Sequence, residues 1–307
     1  MKNESSKVNG KKVFERRGKI FAYCMVSVAV VHFLIFFIYL NFEQFRLAFT
    51  YELLDGSEKF AGWDNFTKIF TDFLLPNSIM LYSLVNTMQY WLMGVVKLVI
   101  TVIVSYFLWK KVAGFKLFTI LFFIPSIIPS VLYITMFKNM ISSVGPLAII
   151  LKDLFNYELP PLLAQPETAT NTIVFFSLWA GYGVNMLLYL GALGRIPDSV
   201  IDAGKIDGCG WVRELWSIVL PLIWETLSVM LILNVSTLFT ATGPILLFTN
   251  GVEYNHTYTL SFWIYMKVDA GELHYPSAVG LFYTVVAIPL VILSRWITNK
   301  LNKEVTY

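Results

Sequence analysis

Asn234 and Thr237 stand one helical turn apart in a run otherwise rich in Leu, Val and Met, so two hydrogen-bonding groups share one face of an apolar segment. Such a face must meet other helices or a wet cavity, because lipid offers no hydrogen-bond partner. Lys97 is a second polar group in an apolar run, within Gly-Val-Val-Lys-Leu-Val-Ile. Three readings of it stand side by side: a functional cation, a snorkelling side chain, or one facing a wet interior between subunits. The third polar feature is the loop Gly194–Pro221, which carries Asp198, Asp202, Asp207 and four glycines between two apolar runs. These groups can hold a solute or dock a partner by hydrogen bonds. Catalysis is harder to support, since His32, His256 and His274 are scattered and Cys24 and Cys209 lack metal-ligand spacing. The chain is expected to be no enzyme and to bind no metal. A Gly-x-x-x-x-Gly-Lys-Ser/Thr phosphate loop is also missing: Gly18-Lys19 and Gly204-Lys205 lack the rest of it.

The elements that must position these groups are membrane helices. Of 307 residues 57% are hydrophobic and only 14% charged, against about a quarter charged in soluble domains. Six runs reach the roughly 20 apolar residues that span a bilayer: Ile20–Leu40, Ser83–Leu108, Leu117–Phe137, Thr172–Leu193, Leu222–Phe248 and Ser277–Trp296. The fold class expected is an all-α integral membrane protein of six transmembrane helices with cytoplasmic N- and C-termini. Most of the 23 Lys and Arg residues then fall on the cytoplasmic side, in 1–19, 109–116, 194–221 and the tail from Arg295. The apolar run after Lys19 is too long for a signal core and lacks a small-residue cleavage site, so it reads as a retained helix. The organisation expected is a basic cytoplasmic N-terminus (1–19), a permease domain (20–298) and a cytoplasmic tail (299–307).

Pro125 and Pro129 interrupt the third run and are expected to bend it. In the loop, Asp198 or Ser199 can cap a short helix after Pro197, Gly208 and Gly210 end it, and a further helix starts at Trp211. Gly204 and Gly208, one turn apart, leave one side of that helix without bulk, which suits close docking into a partner's groove. An ordinary interfacial amphipathic loop has the same spacing.

The loop resembles the EAA loop of ABC importer permeases at Gly191-Ala192-Leu193, Ile196-Pro197, Asp202-Ala203-Gly204, Ile206-Asp207-Gly208 and Ile218, Leu220, Pro221. Asp202 replaces the usual glutamate, Gly204 the second alanine and Cys209 an alanine. Phe60-Ala-Gly-Trp-Asp-Asn-Phe66, Asn86-Thr87, Ile124-Pro125-x-x-x-Pro129 and Trp179-x-Gly181-Tyr182 are similar to elements of the maltose-type sugar permeases. Their Thr-x-Gly-Gly-Pro motif is only echoed, by Thr249-Asn250-Gly251.

The resemblance implies a membrane-spanning permease subunit of an ATP-driven importer, in a prokaryotic plasma membrane. Its solute would be a carbohydrate, expected to be an oligosaccharide. The partners implied are a second homologous permease, two ATPase subunits, an extracytoplasmic sugar-binding protein and membrane lipid, with no nucleic acid. ATP and Mg would bind to the ATPase subunits, leaving this chain without a cofactor. Asp202, Ala203, Gly204, Asp207, Gly208 and Pro221 would form the ATPase-coupling loop. Ser126, Ser130, Ser177, Gly181, Asn234 and Thr237 would line the substrate path, with Ala180, Val184 and Leu238 beside them. A permease of the same class for polyamine, phosphate or amino acid is the alternative, and a secondary transporter or channel a more distant one.

Overall fold

The computed structural model describes residues 2–53, 55–76, 78–240, 242, 244–249 and 257–301. Asn250 and Gly251 of the Thr249 motif, and residues 302–307 of the tail, lie outside the described residues. Two compact units emerge: residues 1–67 with 273–281, and residues 68–272 with 282–307.

The first unit begins with helix α1 (Lys2–Phe33), which continues through a π-helical stretch (Leu34–Tyr39) into α2 (Leu40–Ala48). Its apolar part, Gly18–Ala48, is exposed from Gly18 to Phe42, and Ala48 at its end is buried. Two three-residue strands follow, β1 (Thr50–Glu52) and β2 (Glu58–Phe60), paired antiparallel with Tyr51 opposite Lys59. This hairpin departs from the all-α expectation. It is too short to stand alone, and side chains pin it in place. Asn65 at the start of α3 (Asp64–Leu74) donates to the carbonyls of Ala48 and Thr50 at 3.0 and 2.9 Å. Arg46 bridges Glu43 and Glu58, and His274 Nδ1 lies 3.0 Å from Thr50 Oγ1. Phe49, Trp63 and Phe66 pack edge-on or tilted, with ring centres 5.1–5.4 Å apart. The Phe60–Phe66 stretch therefore serves its own unit as a clasp.

The second unit is built on α4 (Ile79–Trp109), whose N-cap Ser78 accepts from the amide of Met80. Ser83, Thr87, Tyr90, Gly94, Lys97, Thr101 and Ser105 recur along it every three or four residues, which places them on one stripe. Ser83, Thr87, Thr101 and Ser105 are buried, so the stripe faces protein. Thr87, Thr101 and Ser105 donate to the carbonyl four residues back, at 2.6–2.7 Å, which satisfies them within the helix. Near its start, Asn86 donates to Tyr258 O and Thr87 Oγ1 accepts from Leu260 N, both at 2.9 Å.

The remaining order is α5 (Phe115–Ile127), α6 (Ser130–Ile141), α7 (Pro146–Phe155), α8 (Pro166–Ala180), α9 (Gly183–Leu193), α10 (Asp198–Ile206), α11 (Trp211–Glu214), a π-helical stretch (Leu215–Val219), α12 (Leu220–Leu222), α13 (Trp224–Ser236), α14 (Ile245–Thr249), α15 (Leu260–Asp269) and α16 (His274–Leu301). Four described helices are individually long and apolar enough to cross a bilayer: Gly18–Ala48, Ile79–Trp109, Thr168–Leu193 and His274–Leu301. The third and fifth expected spans are not continuous helices. The third is the pair α5 and α6, bent by 108° at Ile128–Pro129, where Pro129 has no amide to continue the ladder. The fifth is displaced towards the N-terminus: Trp211–Leu222 and Trp224–Ser236 meet at 78° around Ile223, two residues after Pro221, and α13 stops at Ser236. Counting each bent pair as one gives up to six spans.

Packing is densest where α4 meets α9 and the 194–223 segment. Val102, Tyr106, Tyr189, Leu193, Ile201, Leu215, Val219 and Ile223 share one buried cluster.

Candidate functional site

A cavity of about 600 Å³ opens beside the middle of α4. All six path residues expected from the sequence, Ser126, Ser130, Ser177, Gly181, Asn234 and Thr237, lie in its wall, with Ala180 and Leu238. Each arrives by a chain break or a helix end. Ser126 and Ser130 flank the α5–α6 bend, Gly181 separates α8 from α9, and Thr237 is the C-cap of α13. Val184, expected in the same wall, is not among the lining residues and is exposed. It falls past the interruption at Gly181–Tyr182, where the face presented to the cavity ends.

Three of the wall's hydroxyl protons are already used. Ser126 donates to Phe123 O at 2.7 Å, Ser177 to Ile173 O at 2.9 Å and Thr237 to Asn234 O at 3.0 Å. What remains on each is acceptor capacity. Several of these groups sit against neighbouring backbone. A Cβ on Gly94 would come within 2.5 Å of Asn234 Nδ2, one on Gly183 within 2.6 Å of Ser126 Oγ, and one on Gly181 within 2.5 Å of Lys97 Nζ. A side chain at any of these glycines would have to displace Asn234, Ser126 or Lys97.

Sequence reasoning missed the aromatic part of the wall. Tyr90, Trp91, Tyr133 and Phe176 line the cavity, and Tyr133 packs 5.3 Å from Phe176 and 5.2 Å from Trp179. In an apolar run, Tyr and Trp read as core or interface residues. Their signal was the register of Tyr90 with Gly94 and Lys97 on the α4 stripe. Tyr90 Oη, Trp91 Nε1, Tyr133 Oη and Asn234 Oδ1 are buried in the wall without a hydrogen-bond partner among the described residues. Buried polar atoms are nearly always paired, and four of the eight unpaired ones among the described residues belong to residues of this wall.

Lys97 is the sole charged residue lining the cavity among the described residues. About 18 Å of helix separates it from Trp109 at 1.5 Å per residue, too far for snorkelling past that end. A lysine at mid-bilayer costs about 2.5–3.5 kcal/mol on insertion scales. The carboxyl-terminal end of α8 at Gly181 offsets part of this through its helix dipole.

The loop residues form a separate group. Helix α10 begins at Asp198 with Pro197 as N-cap, and no side chain caps it, against expectation. Asp198 instead puts its charge in the first turn, which the helix dipole favours. The far end closes as a Schellman motif: Gly208 N bonds Lys205 O at 3.0 Å and Cys209 N bonds Gly204 O at 2.9 Å. Gly208 takes φ +72° for this turn, has open space around it and is exposed.

Gly204 does not share that open side. It is buried, and a Cβ there would come within 2.7 Å of Ile218 Cδ1. The smooth face expected from both glycines is thus half internal: Gly204 seats the loop on its own chain. The outward surface of α10 is Asp202, Ala203, Lys205, Ile206 and Asp207, and Ile206 is 87% exposed. Lys205 sits 2.9 Å from Asp202, which raises its pKa above the ordinary lysine value. Pro221 is exposed in the α11–α13 bend.

One loop residue that the sequence did not flag ties the two regions together. Glu214 is buried at 5% exposure, accepts from Tyr106 Oη at 3.1 Å and forms an ion pair with Lys110. Both partners lie at the carboxyl-terminal end of α4, so Glu214 holds the loop to the helix that carries Lys97.

Residues 97–307 match the family described as "Binding-protein-dependent transport system inner membrane component". Among curated relatives, the maltose/maltodextrin transport system permease protein MalF of Klebsiella aerogenes is 30% identical over 212 residues, covering 64% of this chain and 40% of that protein. Its counterpart in Escherichia coli (strain K12) is 29% identical over 205 residues, covering 65% and 39%. The chain thus spans about two fifths of the length of these relatives. Among solved structures, a bacterial ABC transporter involved in import of the acidic polysaccharide alginate aligns with TM-score 0.78, at 19% identity, over 94% of this chain and 98% of that one. The alginate transporter in complex with its pentasaccharide-bound periplasmic protein aligns with TM-score 0.79 at the same identity.

Proposed function

Because the chain belongs to the binding-protein-dependent transport system inner membrane component family, and so is a multi-pass membrane component, we propose that it is the permease subunit of an ATP-driven importer that moves an oligosaccharide into the cytoplasm. The observation that carries the substrate class is the mid-helix cavity, whose wall combines hydroxyl and amide acceptors with Tyr90, Trp91, Tyr133 and Phe176. Sugars are held by hydrogen bonds to their hydroxyls and by apolar stacking on aromatic faces. The maltose/maltodextrin relatives and the alginate-importing structural neighbours, both of which handle saccharides, support the same reading.

In this reading each bent helix pair counts as one span, giving six, with both termini cytoplasmic. Helix α10 docks on an ATPase subunit, its exposed Ala203, Ile206 and Asp207 entering the partner's groove while Gly208 lets the chain turn away. ATP and Mg bind to two such subunits, and this chain holds neither. A second homologous permease closes the cavity, and an extracytoplasmic binding protein delivers the sugar. ATP-driven movement of α10 reaches the cavity through the Glu214 contacts to α4.

The test is reconstitution of the complete transporter in proteoliposomes, with saccharide and binding protein outside and ATP inside. Uptake should require enclosed ATP and persist when ionophores collapse ion gradients. Uptake that needs an ion gradient and ignores ATP would point to secondary transport and sink the proposal. For topology, a Ser5→Cys variant lacking native cysteines and the native Cys209 should react with an impermeant maleimide only after permeabilisation. Labelling of either in intact cells breaks the six-span arrangement.

A further inference from the structure

We infer that the cavity selects an anionic saccharide, one bearing a carboxylate, and that Lys97 is the residue that selects it. This rests on the carbohydrate-import reading above and narrows it. Three observations carry it.

The first is the isolation of the charge. Lys97 lines the cavity; its carbonyl accepts from Thr101, but among the described residues its ammonium has no hydrogen bond and no ion pair. None of the lining residues is Asp or Glu. The Gly181 end of α8 contributes a partial negative charge, equivalent to about half an electron, which leaves the ammonium incompletely compensated.

The second is where donors and acceptors lie. Ser126, Ser177 and Thr237 have spent their protons on their own helices and present oxygen lone pairs. A neutral sugar could satisfy these with its hydroxyls, yet would offer Lys97 only neutral oxygens and no counter-charge. Leaving a charge without its partner in a water-poor site is the strongest penalty available for rejecting a solute. A carboxylate on a sugar ring answers the ammonium while the ring hydroxyls donate to the oxygens.

The third is the number of cations. One ammonium matches one singly charged carboxylate. A phosphate dianion calls for more, typically a guanidinium fork or a second cation, and the cavity supplies neither.

The test uses the complete transporter in proteoliposomes with three probes: trigalacturonate, its fully methyl-esterified form, and maltotriose. Trigalacturonate should enter at least tenfold faster than its ester, which has the same rings and no charge. Lys97→Met should bring the acid down to the rate of the ester, and Lys97→Arg, which keeps the cation, should restore most of the preference. Equal uptake of acid and ester, or uptake of maltotriose in preference to both, overturns the charge selection and leaves the carbohydrate reading standing. So does a Lys97→Met variant that loses assembled complex while uptake of acid per complex is unchanged, since the ammonium would then be pairing with a carboxylate of the second permease. Failure of all three saccharides to enter overturns the carbohydrate reading itself.

Discussion

Helix α4 is built to two standards. From Tyr90 to Lys97 it borders a cavity, and its buried polar atoms Tyr90 Oη and Trp91 Nε1 have no partner among the described residues. Twelve residues beyond Tyr90, about 18 Å along the axis, from Val102 to Lys110, it is sealed into a buried cluster, and its polar groups Tyr106 and Lys110 converge on Glu214. An unpaired buried polar atom costs free energy that a folding argument alone would remove. A paired one makes the two elements it joins move together. The contrast sets a middle that borders a cavity against an end tied to the loop.

The comparison is broken most severely at its sealed end. Glu214→Leu removes the partner of Lys110, whose side chain is 25% exposed, and is expected to destabilise the purified complex by on the order of 3 kcal/mol. Adding Lys110→Leu should return part of that loss, because no charge is then stranded. Thermal unfolding of the single and double variants measures both. A Glu214→Leu variant as stable as the parent would show that the ion pair does no structural work.

Next in size is the docking face. A Cβ at Gly208 would meet no atom within 4 Å, and Gly208→Trp would put bulk where α10 is proposed to turn away from an ATPase. We expect uptake to fall more than tenfold with the protein still in the membrane. Gly208→Ala is the control for the left-handed conformation, which costs about 1–2 kcal/mol by itself, and should keep substantially more uptake. Equal uptake by the two variants places the docking surface elsewhere.

The unsatisfied end is sharpened by Asn234→Ala. Its Oδ1 has no partner among the described residues, so truncation should leave assembly intact. Loss of one hydrogen bond to a sugar costs about 1 kcal/mol, several-fold in apparent affinity. Thr237→Ala should behave alike. Reduced yield with unchanged uptake per complex would make both residues helix-packing groups instead.

The smallest effect lies in the hairpin. Arg46 holds the Glu58 carboxyl below its ordinary pKa, chiefly by hydrogen bonding. A lowered folded-state pKa contributes stability above the unfolded value, lost as pH falls through the lowered one. Glu58 is exposed, so the effect is slight. Amide exchange of Glu58–Phe60, corrected for intrinsic rates, should speed up modestly below about pH 4, and Arg46→Gln should abolish the difference.

Much of this was legible in the sequence for simple physical reasons. Twenty apolar residues have few alternatives to a span, and Pro129 must interrupt whatever helix contains it. The bend at Ile223 was not legible, because nothing about isoleucine signals it and the responsible Pro221 lies two residues earlier. Gly204 and Gly208 look alike by spacing. Only the position of Ile218 distinguishes a glycine packed inside from one turned outward. Glu214 failed for the same reason in reverse: an acidic residue in a loop reads as solvated, and its burial depends on Tyr106, which is 108 positions away. Path residues were better placed than the aromatic wall, since a lone Asn in an apolar helix stands out and a Tyr does not.

The length of α4 carries a consequence for the lipid around it. Its 31 residues extend about 46 Å at 1.5 Å per residue, whereas a bilayer's hydrocarbon is about 30 Å thick. Tilt alone would have to approach 50° to absorb the difference, beyond the roughly 40° that membrane helices reach. The ends must therefore emerge, bringing Lys110 and Lys111 up to the headgroup layer, where anionic lipids attract them. Because Lys110 also grips Glu214, bilayer thickness and headgroup charge become inputs to the joint between loop and helix. The rate of transport should then respond to acyl-chain length as well as to solute.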